Sequence, residues 1–178
     1  MRLFTAVDIP EEVRNALGRA IERFRPLAKL KWTEVEKLHI TTKFIGDWPE
    51  ARMDEMTAAL RGVVPPGAIH IALRGLRWFP DPRRPRMLWV GVEAGPELAS
   101  LASETEQATR ALGVPVEHRK YSPHLTLARI GNLTPLDALR HAIESEAPAG
   151  FGSFAASAFH LYLSKDGQYR KLAEFSLI

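Results

Sequence analysis

The chain has 178 residues, 46% of them hydrophobic, enough for one domain that folds without a disulfide or metal staple. It contains no cysteine, which excludes a disulfide framework, a zinc–thiolate site and a cysteine nucleophile. A net charge of +3, from 24 Lys and Arg against 21 Asp and Glu, permits a polyanionic partner without requiring one.

Residues 2–9 alternate well enough for an opening strand, and the acid at Asp8 interrupts any signal-peptide core. Pro10-Glu11-Glu12 suits a first helical turn, and Val13, Leu17, Ala20, Ile21 and Phe24 recur at helical spacing. A short strand is predicted over 30–33 and a longer one over 38–45, ended by Gly46-Asp47. Pro49 opens a second helix with Met53, Met56, Leu60 and Val63 on one face, stopped by Pro65-Pro66-Gly67. Strands follow over 68–74 and 87–93. Gly95-Pro96 then leads a helix to Leu112, with Gly113 as its cap. After an extended piece at 114–116 comes a strand over 124–130. Thr134 is expected to cap a helix running from Pro135 to about Glu146. Strands over 155–163 and 169–177, joined by the turn Lys165-Asp166-Gly167, close the chain. No apolar run approaches the roughly 20 residues of a membrane helix, so a soluble, cytoplasmic protein is expected.

Each half thus reads strand, helix, short strand, strand beginning at a histidine, helix, strand. This weak internal duplication predicts two similar lobes facing one another within a single domain over 1–178. The histidine strands carry a repeated tetrad, His39-Ile40-Thr41-Thr42 and His124-Leu125-Thr126-Leu127. Side chains alternate along a strand, so each motif delivers an imidazole and a hydroxyl onto one surface. Opening a cyclic phosphodiester needs a base for the attacking water and an acid for the departing ribose oxygen. Histidine suits both, because its unperturbed pKa of about 6.5 lies near cellular pH. Threonine hydroxyls can donate to the nonbridging phosphoryl oxygens. One His-x-Thr-x match carries little, since a histidine at a strand start is commonly structural. Two copies at equivalent positions of a duplicated unit favour chemistry.

His70, His118, His141 and His160 lack the spacing of a zinc site, and no Gly-rich phosphate loop is present, so neither a metal nor a cofactor is expected. Arg83-Arg84-Pro85-Arg86, with Arg74 and Arg77, reads equally as a solvated basic loop or as a phosphate-backbone contact.

The match to a known family extends past the tetrads. The opening Leu3-Phe4-Thr5-Ala6-Val7-Asp8-Ile9-Pro10, the block Leu38 to Asp47 after Lys31-Trp32, and Arg84 to Val92 all resemble the two-histidine (2H) phosphoesterases. So do the block Ser122 to Arg129 and the closing stretch from Leu163 to Leu172. The branch resembled is the RNA 2′,3′-cyclic phosphodiesterases, also called 2′-5′ RNA ligases. Thr42 departs from the apolar residue usual at the fourth motif position, and should alter packing more than chemistry.

This resemblance implies a bilobal α+β fold, with antiparallel sheets lining a central cleft and helices outside. It implies hydrolysis of an RNA 2′,3′-cyclic phosphate to a 2′-phosphomonoester, with His39 as proton donor to O3′ and His124 as proton acceptor from water. Thr41 and Thr126 would bind the phosphate. Bacterial members also join tRNA half-molecules by a 2′-5′ linkage, the reverse transesterification. No membrane and no obligate protein partner is implied. Arg129 becomes a candidate substrate contact, although strict alternation places it opposite Thr126. Lys43 shares the His39 and Thr41 face by alternation, either steadying phosphate charge or lying solvated at the cleft rim. Phe4, Trp32, Phe79 and Tyr121 are candidate base platforms, with core packing the alternative. Trp89 and Phe154 are assigned to the core. The competing functions are a phosphodiesterase for another small cyclic or 2′-5′ linked nucleotide, and a noncatalytic RNA-end binder.

Overall fold

The computed structural model describes residues 1–146 and 150–178. In chain order the elements are β1 (Arg2–Asp8), α1 (Glu11–Phe24), β2 (Lys31–Trp32), β3 (His39–Asp47), α2 (Met53–Arg61), β4 (Ile69–Phe79) and β5 (Met87–Ala94). There follow α3 (Pro96–Ala111), β6 (His124–Arg129), α4 (Asp137–Glu144), β7 (Gly150–Ala156), β8 (Ala158–Lys165) and β9 (Gln168–Ser176). The strands form two antiparallel sheets, one ordered β3-β1-β8-β9 and the other β2-β6-β5-β4-β7. The fold is α+β.

The helices form where the apolar spacing requires. In α1, Val13, Leu17, Ala20, Ile21 and Phe24 are the buried positions, with Glu11 and Glu12 in the first turn where the helix dipole favours acids. Each fully buried aliphatic side chain contributes about 1.5–3 kcal/mol. The helices do not stay with their own sequence half, however. α1, which follows β1, packs on β7 of the five-stranded sheet, and α3, which follows β5, packs on β3 of the four-stranded one. Strands β8 and β9 return to pair beside β1. The lobes are therefore interleaved rather than being the first and second halves of the sequence, a correction to the simple duplication.

Three local predictions also change. β4 runs on to Phe79 because Gly75, at φ 74°, makes a bulge rather than an end. The predicted strand at 155–163 divides at Ser157, where the chain leaves one sheet for the other; the glycines of β7 mask its first part in the sequence. Thr134 caps no helix: Leu133 takes φ 60°, the Thr134 hydroxyl donates to the Gly131 carbonyl at 3.1 Å, and α4 starts at Asp137. That predicted helix reached the last residue before 147–149, which lie outside the described residues.

Both histidine strands are bulged at the same motif position. Against β1, Ala6 pairs with Thr41 but Thr5 pairs with Lys43, leaving Thr42 extra. Against β5, Trp89 pairs with Thr126 but Leu88 pairs with Ala128, leaving Leu127 extra. Thr42 is buried, and its hydroxyl lies 2.7 Å from that of buried Thr5, so the unusual polar residue is satisfied within the core. Beyond each bulge the alternation reverses. Lys43 consequently turns away from the His39 face, which corrects its expected place at the cleft. Its side chain, 5% exposed, lies under α3, where Nζ meets Glu106 at 2.6 Å and the Pro115 carbonyl at 3.1 Å. Arg129 by the same reversal comes onto the His124 face.

Breaking a buried ion pair from one side leaves the other charge uncompensated, whereas replacing it with an apolar group does not. Glu106→Ala should therefore lower the unfolding free energy by about 3–5 kcal/mol, and the double replacement of Lys43 and Glu106 by Met by much less. Denaturant melts of the two variants check this; equal losses would contradict it.

Candidate active site

The faces of the two sheets that carry the motif histidines meet where β3 contacts β6. His39 and His124 are held alike. The Nδ1 of His39 donates to the Lys37 carbonyl at 2.6 Å, and that of His124 to the Ser122 carbonyl at 2.9 Å. In both cases the acceptor lies two residues upstream. A carbonyl can only accept, so both rings carry their proton on Nδ1 when neutral and leave Nε2 free for chemistry. The Nε2 of His39 lies 3.0 Å from the Thr41 hydroxyl, as the shared strand face requires. The Nε2 of His124 makes no hydrogen bond among the described residues.

Aromatic rings fix the two imidazoles. His124 stacks on Trp89 at 3.7 Å and 13°, and Trp89 on Phe79 at 3.7 Å and 14°. Trp89 thus leaves its expected core position to become the platform under His124. Phe79 lies at the far side of that stack. His39 packs on Phe4 at 4.9 Å and against the edge of Tyr169 at 5.4 Å, while Phe4 stacks on Tyr162 at 5.3 Å. Phe4 is only 4% exposed, so it supports the histidine and offers no open face to a base. Trp32 pairs with core-facing Ala128 and packs on the core side, away from the cleft.

Two side-chain hydrogen bonds cross between the motifs. The Tyr121 hydroxyl, just before the second motif, donates to the Thr41 carbonyl at 2.9 Å. The Thr33 hydroxyl, just before the first, donates to the Thr126 carbonyl at 2.9 Å. Tyr121 is therefore a clasp rather than a base platform. Burial pushes its phenol pKa up, which keeps it a donor.

Burial lowers the pKa of both histidines below 6.5, with the Lys37 and Ser122 carbonyls offsetting part of the effect. The neighbouring charges then differ. His39 is raised by Asp8, its register partner in β1, and lowered by His124; His124 is lowered by Arg129. Burial disfavours the Asp8 carboxylate, but His160, Lys171 and Tyr162 outweigh it and hold its pKa well below the usual range. Lys171 Nζ lies 2.7 Å from Asp8, and His160 bridges toward Glu174 at 2.9 Å. Asp8, Tyr162, Tyr169 and Phe4 line a cavity of about 370 Å³ that opens beside His39. Sequence reasoning missed Asp8, Tyr162 and Tyr169; alternation along β1 puts Asp8 on the Phe4 face, whereas the two tyrosines reach that face only through the pairing of β8 with β1 and of β9 with β8. Arg129 sits exposed on the cleft face, its only side-chain hydrogen-bond partner among the described residues the Met87 sulfur at 3.7 Å. Among the described residues no three metal-ligating side chains gather, and no helix is long and apolar enough to cross a membrane.

The model of the LigT-like phosphoesterases matches the chain in two consecutive segments, residues 7–89 and 90–170, each containing one tetrad. An RNA 2′,3′-cyclic phosphodiesterase of Methanocaldococcus jannaschii is 33% identical over 164 residues, covering 92% of this chain and 91% of that protein. One of Aeropyrum pernix is 37% identical over 136 residues, covering 74% and 75%. Among solved structures, TT0787 of Thermus thermophilus superposes with a TM-score of 0.79 at 29% identity, covering 99% of this chain and 98% of that one. E. coli LigT complexed with 3′-AMP gives 0.80 at 22% identity over 98% and 97%, a likeness of fold. Two matching segments, two tetrads held alike and full-length similarity agree, and the chain belongs to the LigT-like phosphoesterase family of the 2H superfamily.

Proposed function

We propose that this protein hydrolyses RNA 2′,3′-cyclic phosphate ends to 2′-phosphomonoesters. The observation that carries this reading is the matched anchoring of the two imidazoles, which leaves both Nε2 atoms toward one cleft. A pure binder of RNA ends has no use for two such proton-transfer groups. The activity by which the archaeal relatives are named supports the substrate.

In the proposed reaction the cyclic phosphate lies between the histidines. His124 Nε2 takes a proton from water as the water oxygen bonds to phosphorus. The P–O3′ bond breaks on the opposite side, and His39 Nε2–H protonates O3′. Asp8 favours the protonated form that His39 needs for this role, and Arg129 the neutral form that His124 needs. The hydroxyls of Thr41 and Thr126 donate to the nonbridging oxygens. With O3′ toward His39, the terminal nucleoside occupies the cavity beside Tyr162 and Tyr169. A ribose 5′-hydroxyl in place of water would give a 2′-5′ linkage, so the same site serves ligation of RNA ends such as tRNA halves. We place the reaction in the cytoplasm.

An oligonucleotide ending in 2′,3′-cyclic phosphate should yield only the 2′-phosphate by phosphorus NMR, with the rate unchanged in excess EDTA. A 3′-phosphate product, or activity restored only by a divalent cation, would contradict the assignment. His39→Ala and His124→Ala should each lower kcat by roughly 10²–10⁴, the usual worth of a positioned acid or base. Thr41→Ala and Thr126→Ala should each cost on the order of 10–10³. Near-normal turnover by a folded His39→Ala variant would make the first tetrad structural.

A further inference from the structure

The basic cluster picked out in the sequence disperses in three dimensions. Arg86 turns to Asn132, and Arg83 lies in an exposed loop. One member, Arg77, reaches the cleft. It pairs with Trp89 across β4 and β5, so its side chain shares the face on which Trp89 stacks against His124. Gly91, the next cleft-facing residue of β5, is the register partner of His124 in β6. A Cβ on Gly91 would come within 2.3 Å of the Arg74 carbonyl oxygen, so the bulge at Gly75 leaves no room for a side chain there. The same Cβ would lie 3.4 Å from Arg77 Nε, which places the guanidinium stem across this bare floor. Strand partners in a sheet are about 5 Å apart, so Arg77 lies across the residue beside His124. It is exposed and makes no ion pair or hydrogen bond among the described residues, leaving its full charge for a ligand.

Resting on the proposed function, we infer that Arg77 binds an internal phosphodiester of a second RNA strand whose 5′-hydroxyl replaces water as the nucleophile. The side of the cleft decides this. In-line displacement puts the leaving O3′ and its nucleoside toward His39, and the nucleophile toward His124. Any strand carrying that nucleophile must extend beyond His124, over Gly91, where Arg77 is the waiting cation. A planar guanidinium matches two phosphate oxygens. In the transfer step the 5′-oxygen bonds to phosphorus as P–O3′ breaks. His124 takes the 5′-hydroxyl proton and His39 protonates O3′, so a 2′-5′ phosphodiester forms with no other reactant.

The test supplies a cyclic-phosphate oligonucleotide with one of two nucleophiles, a free nucleoside or a 5′-hydroxyl dinucleoside monophosphate, and measures transfer beside hydrolysis. The wild type should transfer preferentially to the dinucleotide, through a lower KM for it. Arg77→Gln should reduce that preference on the order of tenfold, and Arg77→Lys by less, as expected for a charge-assisted contact. The preference should also fall with salt, with a logarithmic slope steeper by about 0.7 in the wild type than in Arg77→Gln, the value for one single-strand phosphate. A salt dependence of this kind would not follow from a merely structural arginine. Hydrolysis without any transfer by the wild type, or an unchanged preference in Arg77→Gln, would overturn the inference while leaving the hydrolase reading intact. Absence of both hydrolysis and transfer would overturn the two together.

Discussion

The two crossed hydrogen bonds between the motifs set the geometry on which the site depends. Tyr121 holds the Thr41 carbonyl and Thr33 holds the Thr126 carbonyl, so each motif is pinned by the segment that leads into the other. Each bond contributes only about 1 kcal/mol to stability, but it fixes position where the chemistry needs it. In the proposed reaction an acid and a base on opposite sides of one phosphorus must keep their separation, and a misplacement of about 1 Å can cost two orders of magnitude in rate. The interleaving of the chain serves the same end. Helices α1 and α3 each follow a strand of one sheet and pack on the other, so neither sheet can shift without disturbing the opposite core.

Much of this was legible in the sequence, because the signals were local. The tetrads, the helix faces and the duplication follow from spacing, and the anchoring of each histidine followed the predicted strand starts. What failed was alternation across a bulge. The rule of period two puts Lys43 with His39 and sets Arg129 opposite Thr126. One extra residue within each motif, Thr42 and Leu127, reverses both outcomes. The burial pattern offers a physical rationale: Thr42 and Lys43, like Leu127 and Ala128, are consecutive buried residues, which only a bulge can turn to the same side. Trp89 misled for another reason. A tryptophan in a central strand usually fills the core, and its place under His124 depends on β5 pairing with β6, a long-range fact that no local window contains.

The electrostatic design follows from the same burial. Seating the imidazoles among Phe4, Tyr169 and Trp89 fixes their orientation and also disfavours their charged forms. The free protein therefore holds both rings with pKa values below 6.5, and Asp8 and Arg129 bias them in opposite directions. Asp8 can act on His39 because His160, Lys171 and Tyr162 keep it ionised. In the proposed reaction a carboxylate so held tilts the first histidine toward the acid role, while the second, beside a guanidinium, tilts toward the base.

The most direct measurement is kcat/KM against pH for the wild type and the two single histidine variants, on one cyclic-phosphate substrate. This quantity reports the free protein, where one imidazole must be charged and the other neutral. With both pKa values depressed by burial, the wild-type profile should be a bell centred below pH 6.5. His39→Ala should lose the alkaline limb and His124→Ala the acid limb. A maximum above neutrality, or a variant that keeps both limbs, would contradict the pairing of these two histidines as acid and base.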